Sequence, residues 1–280
     1  MSAPAASSAA SPSSPSSGLP RVAVVLAGER PGGNALARAY GLESSLLVEL
    51  NGRPVIDWTL SAIEGSSIES MVLLGPGASV THPVLEHWRS KACVEVVEPG
   101  TGPAASAVTG ARKANTWPVL LTAADHGLLT SDLIDEFCRQ ARSEALRSSA
   151  DFVVGLVDAA AVRQRFPDSR RTWLKFSDGA CCGSNLFYLA TPAALDVLLL
   201  WSRWEALRKT PWKIAWGMGL VVCVRYLLGN LSVGDAFAAL SARAGASVSF
   251  CKLTEPELAV DVDSVADLDL ACAVLRERDR

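Results

Sequence analysis

Three carboxylates and one glycine-rich loop are the parts of this sequence best equipped for chemistry. Asp125 follows the apolar run Val119-Leu120-Leu121, so it stands at the carboxyl end of a buried strand. That edge is where open α/β sheets bind ligands. A lone carboxylate there, beside His126 and Gly127, suits Mg²⁺, which takes one or two carboxylates and leaves its other positions to water and substrate phosphates. The same aspartate also suits a turn or helix cap; its place at the strand end favours the metal role. Far along the chain, Ala259-Val260-Asp261-Val262-Asp263-Ser264 alternates, which puts Asp261 and Asp263 on one side of an extended segment. That pair can complete a metal site with Asp125 or serve as turn residues before the last helix.

The loop lies near the start. Val22–Leu26 is apolar and mostly β-branched and reads as a buried strand. It breaks into Ala27-Gly28-Glu29-Arg30-Pro31-Gly32-Gly33-Asn34. Glycine and proline here disfavour regular structure and let backbone N–H groups approach a ligand, the arrangement by which α/β proteins cradle phosphate. The loop carries neither GxGxxG nor a GK[ST] ending, so neither a dinucleotide fold nor a Walker loop is supported. Arg30 can take phosphate oxygens in bidentate fashion or stand solvated; spacing does not choose.

The elements that must position these residues alternate. Strands are expected at 22–27, 70–75, 94–97, 118–122 and 152–157, with helices at 55–63, 102–115 and 131–147. This rhythm predicts a parallel sheet with helices on both faces. The second half departs from it, with strands at 172–176, 185–189 and 247–253 and helical stretches at 192–208, 211–228, 233–244 and 265–278. Ser264 with Asp267 resembles a capping box for the last of these. Trp201, Trp204 and Arg208 share a helical face, read as a core-facing stripe with solvated arginines. The sharper reading is a wall for a phosphorylated ligand, since Arg208, Lys209 and Lys213 cluster near it.

With 280 residues, a net charge of -3 and 49% apolar residues, the chain is read as globular, with no basic field for nucleic acid. Residues 1–18 are Ser/Ala/Pro-rich and are read as a disordered tail. Residues 19–280 form one domain, with a nucleotide-binding half (19–158) and an acceptor-side half (159–280). Seven cysteines without a CxxC pair suggest reduced thiols and a cytoplasmic setting. Gly217–Leu231 is apolar but short and interrupted by Arg225; it is read as a buried helix rather than a transmembrane or membrane-surface one.

Three stretches, LAGxRxGG after the first strand, AADHGLL in mid-chain and DVDSVADLDLA near the end, resemble in that order the molybdenum-cofactor-guanylyltransferase-like NTP transferases. Those are nucleotidyltransferases of the GT-A type, and the resemblance runs from about Val22 to Leu275. It implies a Rossmann-like GT-A nucleotidyltransferase fold: α/β, a mixed, mostly parallel sheet flanked by helices, with a helical elaboration in the second half. It also implies transfer of NMP from an NTP, with GTP or CTP favoured, to a small phosphorylated acceptor. Leu26, Ala27, Gly28, Gly32, Gly33 and Asn34 would then hold the NTP, and Arg30 the developing charge. Gly102 and Ser106 would lie at the nucleobase, and Asp125 with Asp261 or Asp263 would bind Mg²⁺. Arg171, Lys175, Gly183 and Asn185 would face the acceptor; a homodimer is left open. One departure stands out. Such proteins usually carry a lysine a few residues before the Gly-Arg-Pro turn, and here that position is Ser45, with no lysine between Arg21 and Arg53. Two other classes share the fold: a nucleotide-binding protein without turnover, and a glycosyltransferase, which usually needs a mid-chain DxD where AADHG supplies one aspartate.

Overall fold

The computed structural model describes residues 18–29, 33–169, 171–206 and 219–278. The expected tail (1–17), Arg30, Gly32 and most of the basic stretch after Trp204 lie outside them. In chain order the first elements are β1 (Val22–Leu26), α1 (Ala35–Ala39), β2 (Glu49–Leu50), β3 (Arg53–Pro54), α2 (Val55–Glu64), β4 (Ser70–Leu74), α3 (Pro83–Ser90), β5 (Val94–Val97), α4 (Pro103–Ala114) and β6 (Val119–Ala123). There follow α5 (Ser131–Ser148), β7 (Phe152–Asp158), α6 (Ala159–Arg165), β8 (Leu174–Phe176), β9 (Gly179–Leu189), α7 (Ala194–Ala206), α8 (Leu220–Leu227), α9 (Val233–Ala244), β10 (Val248–Leu253) and α10 (Val265–Arg278).

Eight strands form one sheet in the order β10-β7-β9-β6-β1-β4-β5, with β8 paired to β9. β5, β4, β1 and β6 run parallel, while β9 inserts antiparallel between β6 and β7. The sheet is therefore mixed and mostly parallel, as the family resemblance implies; the strand–helix rhythm predicts its parallel part but not the antiparallel β9. Strand alternation divides the core in two. Ala23 and Val25 pack with Ile56 and Leu60 of α2, Trp88 of α3 and Phe137 of α5. Val24 faces the other way, toward Ala107 of α4 and Leu198 of α7. Gly110 shows how close α4 comes: a Cβ there would stand 2.4 Å from Val24 Cγ1 and 2.7 Å from Leu74 Cδ2. The glycine that weakens helix propensity is what seats this helix on the sheet.

Several elements differ from expectation. β9 begins at Gly179 rather than 185, because pairing on both sides carries the strand through Gly-Ala-Cys-Cys-Gly, which has little strand propensity of its own. α3 was not anticipated; His82 caps it, its ring nitrogen accepting from Val84 N, and Pro83 opens it. Trp201 packs against Phe187 at 6.0 Å, so the core-facing reading holds for that residue. The expected buried helix around Gly217–Leu231 is corrected: α8 has no buried residue, and Leu227 is 83% exposed. Its apolar residues Leu220, Val221, Val224 and Leu227 share one helical face, as periodicity indicates, but that face looks outward. Beside it, a groove of about 620 Å³ runs between α8 and Ala239, Ala242 and Arg243 of α9. Among the described residues, no helix is long and apolar enough to cross a membrane.

Candidate active site

The carboxyl edge of β6 and the segment before α10 build an acidic corner. Ala124 N–H donates to the Leu26 carbonyl (2.9 Å), carrying the β6 ladder past β1, and the Asp125 carbonyl accepts from Val262 N–H (3.0 Å). Buried Val260 and Val262 root the late segment, so Asp261 and Asp263 come back toward Asp125. One oxygen from each of the three lies within 4.8 Å of the others. The Asp125 residue keeps a partly open edge, yet its Oδ1 is sealed from solvent and has no hydrogen-bond partner. Burial, and then the neighbouring Asp263 charge, push its carboxyl up to about 7, with its own backbone and Arg171 opposing and Glu29 adding a little. An orphaned buried oxygen beside two further carboxylates is an all-oxygen donor set that fits a hard divalent cation.

His126, next in the chain, is buried, and neither ring nitrogen has a hydrogen-bond partner. Burial and then the Arg171 charge push its pKa down to about 4, so the ring is neutral. Arg171 itself closes the corner. Its guanidinium Nη1 donates to Asp261 Oδ1, Nη2 to Asp267 Oδ1 (2.9 Å), and Nε to Ser169 Oγ (3.3 Å). Asp267 is held by Ser264, whose hydroxyl donates to its Oδ2 (2.6 Å) and accepts from its N–H (3.2 Å). The capping pair seen in the sequence thus also anchors an arginine from the loop between α6 and β8.

The glycine-rich side is built from backbone. Ala27 N–H donates to the Leu74 carbonyl (2.9 Å). Gly75, at φ +92°, lies so near that a Cβ on it would stand 2.9 Å from the Ala27 carbonyl oxygen. Leu26, Ala27 and Gly28 therefore emerge between two strand ends with their path fixed. Asn34 accepts from Leu36 N–H (2.8 Å) and starts α1, while the Gly33 carbonyl accepts from Arg38. Glu29, which sequence reasoning passed over, is the unexpected part. Its Oε1 accepts from Ser44 Oγ (2.7 Å), Ser45 N (2.8 Å) and Ser45 Oγ (3.1 Å). At the position where the resemblance leads to the expectation of a lysine, Ser45 is bound to a carboxylate.

Of the other expected residues, Ser106 spends its hydroxyl locally, accepting from Gly100 N–H (2.9 Å) and donating to the Gly102 carbonyl (3.0 Å). Gly102 precedes α4, and Glu205 of α7 accepts there from Ala104 N–H (3.2 Å), a carboxylate set on the positive end of a helix. β9 pairs with β6 through Leu121↔Phe187 and with β7 through a register shift between Val154 and Leu156. Continuing the first register brings Gly183 and Asn185 alongside the carboxyl end of β6. Asn185 sits at φ 52° and Gly183 has open space on its Cβ side. Such irregularities re-aim side chains beside functional sites. Lys175 is exposed on the β8 hairpin, and its backbone N–H donates to Tyr226 Oη (3.4 Å).

A mixed, mostly parallel sheet flanked by helices, with one antiparallel inserted strand and an acidic corner at its carboxyl edge, defines an α/β fold. More narrowly, the sequence profile of the MobA-like NTP transferase domain matches residues 23–181, more than half of the chain, and the chain belongs to that family. A hypothetical transferase from Thermus thermophilus is 29% identical with a TM-score of 0.72, covering 89% of this chain and 100% of its own. The 4-diphosphocytidyl-2C-methyl-D-erythritol synthase of Anaerococcus prevotii superposes at TM-score 0.51 and 13% identity, with 91% and 97% covered. A CMP:2-keto-3-deoxy-manno-octonic acid synthetase complexed with CTP superposes at 0.55 and 10% identity, with 93% and 100% covered. These last two share the fold. Among curated proteins, none matches the chain significantly.

Proposed function

We propose that this protein transfers a nucleotidyl group from an NTP, GTP or CTP first, to a small phosphorylated acceptor. A phosphate oxygen of the acceptor attacks the α-phosphorus, the bond to the β-phosphate breaks, and pyrophosphate leaves. The observation that supports this most is the convergence of Asp125, Asp261 and Asp263 at the sheet edge, beside the turn Leu26–Gly28. The three carboxylates would hold Mg²⁺, which neutralises phosphate charge when bound. The chain's own residues position the reactants. Leu26, Ala27, Gly28, Gly33 and Asn34 shape a cradle of backbone for the triphosphate, with Arg30 and Gly32 proposed to complete it. Ser106 holds the Gly100–Gly102 turn in shape, with Gly102 at the base. Gly183 and Asn185 offer the acceptor an irregular stretch of β9, with Arg171 and Lys175 as cations on that flank. In such reactions positioning and charge stabilisation do most of the work.

One observation favours a second reading. Glu29 bound to Ser45 puts negative charge where a lysine is usual, which suits a nucleotide-binding protein without turnover. A thermal-shift titration with ATP, GTP, CTP and UTP, with and without Mg²⁺, followed by an acceptor screen read by pyrophosphate release, separates the two. A Mg²⁺-dependent shift with one NTP and release of pyrophosphate supports transfer. A shift without release from any acceptor supports the second reading, and no shift with any NTP removes both.

A further inference from the structure

The acidic corner contains its own cation. Arg171 has a side chain only 11% exposed, and its guanidinium divides between two carboxylates of unlike standing. Asp267 is fixed by Ser264 and belongs to the cap of α10, outside the three-carboxylate cluster. Asp261 is a member of that cluster, and Arg171 takes one of its two carboxylate oxygens, Oδ1, and reaches toward the Asp261 carbonyl as well (3.4 Å). A divalent cation among Asp125, Asp261 and Asp263 therefore meets a guanidinium already seated on one of its ligands. Two like charges a few ångströms apart in a partly buried site repel, and less water stands between them to screen it.

We infer that Arg171 is a displaceable counter-ion: a cation entering the three carboxylates releases its guanidinium from Asp261, and the freed arm, still anchored on Asp267, takes the phosphate of the acceptor. The inference rests on reading Asp125, Asp261 and Asp263 as the cation site. The planar fork of arginine suits the exchange, because one arm can stay on Asp267 while the other changes partner. The Nε bond to Ser169 keeps the stem in place meanwhile. Two consequences follow by linkage. Arg171 weakens cation binding when no phosphate is present, and phosphate and cation each strengthen the other's binding by the same factor.

The test uses the full chain and Mn²⁺, with free Mn²⁺ counted by electron paramagnetic resonance, with and without saturating inorganic phosphate. Arg171→Gln should bind Mn²⁺ about tenfold more tightly than the wild type, a difference of about 1.4 kcal/mol. Phosphate should tighten Mn²⁺ binding in the wild type and leave Arg171→Gln unchanged. Arg171→Lys, a cation without a fork, should bind Mn²⁺ as weakly as the wild type but lose most of the phosphate effect. Should Arg171→Gln fail to fold, Asp267→Asn, which removes the anchor and keeps the arginine, should lose the phosphate effect by itself. Equal Mn²⁺ affinity in wild type and Arg171→Gln, or an equal phosphate effect in both, overturns the displacement while Asp125→Asn still abolishes Mn²⁺ binding. Mn²⁺ binding that survives Asp125→Asn, or is absent from every variant, overturns the cation site beneath it.

Discussion

The two sides of the candidate site are built from different materials. On the glycine-rich side the shape is made of main chain: Ala27 bonded to Leu74, Gly75 pressed against the Ala27 carbonyl, and Asn34 spent on a helix start. On the acidic side it is made of side chains whose charges do not cancel without help, Asp125, Asp261 and Asp263 against Arg171. A backbone surface is rigid and nearly indifferent to pH and salt, whereas a charged corner is adjustable and exposed to both. Under the proposed function, phosphate positioning would belong to the first and control to the second.

The largest effect should come from the acidic side. Asp125→Ala should lower Mg²⁺-dependent pyrophosphate release by about 10³-fold or more, the scale of losing an electrostatic group in such a site, with the circular-dichroism spectrum unchanged. Turnover equal to wild type would remove the metal assignment. On the backbone side the damage should fall on stability instead. Gly110→Val forces branched atoms into Val24 and Leu74 and should destabilise by about 2–4 kcal/mol in urea unfolding, within the range for severe overpacking. Wild-type stability would mean that α4 can lift from the sheet without cost.

The charged corner should also respond to pH, and its two buried groups act in opposite senses. Asp125, raised from 3.8 to about 7, contributes stability that is full below 3.8 and is lost as pH rises through 7. His126, lowered from 6.5 to about 4, contributes stability that is full above 6.5 and is lost as pH falls through 4. In metal-free protein the two slopes, each up to about 1.4 kcal/mol per pH unit, largely offset one another between them. Asp125→Asn should leave a melting temperature that climbs with pH across this window, and His126→Gln one that falls. Parallel profiles for both variants and the wild type would show that neither group titrates differently on folding.

Smaller still is the expected gain from restoring a lysine. Ser45→Lys alone should change turnover little, because Glu29 stands ready to pair with it; with Glu29→Gly as well, kcat/KM should rise by about tenfold, or about 1.4 kcal/mol. Equal values for single and double variants would mean that Glu29 does not govern that position. At the bottom of the scale, Leu227→Ser on the outward face of α8 should move stability by less than about 0.5 kcal/mol. A larger loss would reveal a partner for that face.

What could be read without the structure was what depends on neighbours in sequence. Asp125 was visible because an apolar run places it at a strand end, and Asp261 with Asp263 because alternation puts them on one side. The parallel part of the sheet followed from the rhythm of apolar runs, and its mixed character from the family resemblance; the place of the antiparallel β9 was not legible. Contacts across long separations were hidden: Arg171 and Asp261 are 90 residues apart, and no local pattern pairs them. Glu29 meeting Ser45 depends on how a loop folds back over α1. α8 failed for another reason. Periodicity tells which residues share a face but not whether anything covers it.

The bond between the Asp125 carbonyl and Val262 N–H has a consequence for the order of events during synthesis. It ties the end of β6 to a segment that follows it in synthesis only after all the intervening strands and helices. The loop it closes is long, and closing it costs entropy that only the complete core can offset. The glycine-rich turn rests on contacts among β1, β4 and β6, whereas the three-carboxylate corner also needs the segment around Val262 in place. Cleavage ahead of Val260 should leave the parallel strands standing and scatter the three carboxylates, so the corner reports on the integrity of a segment far from it in sequence.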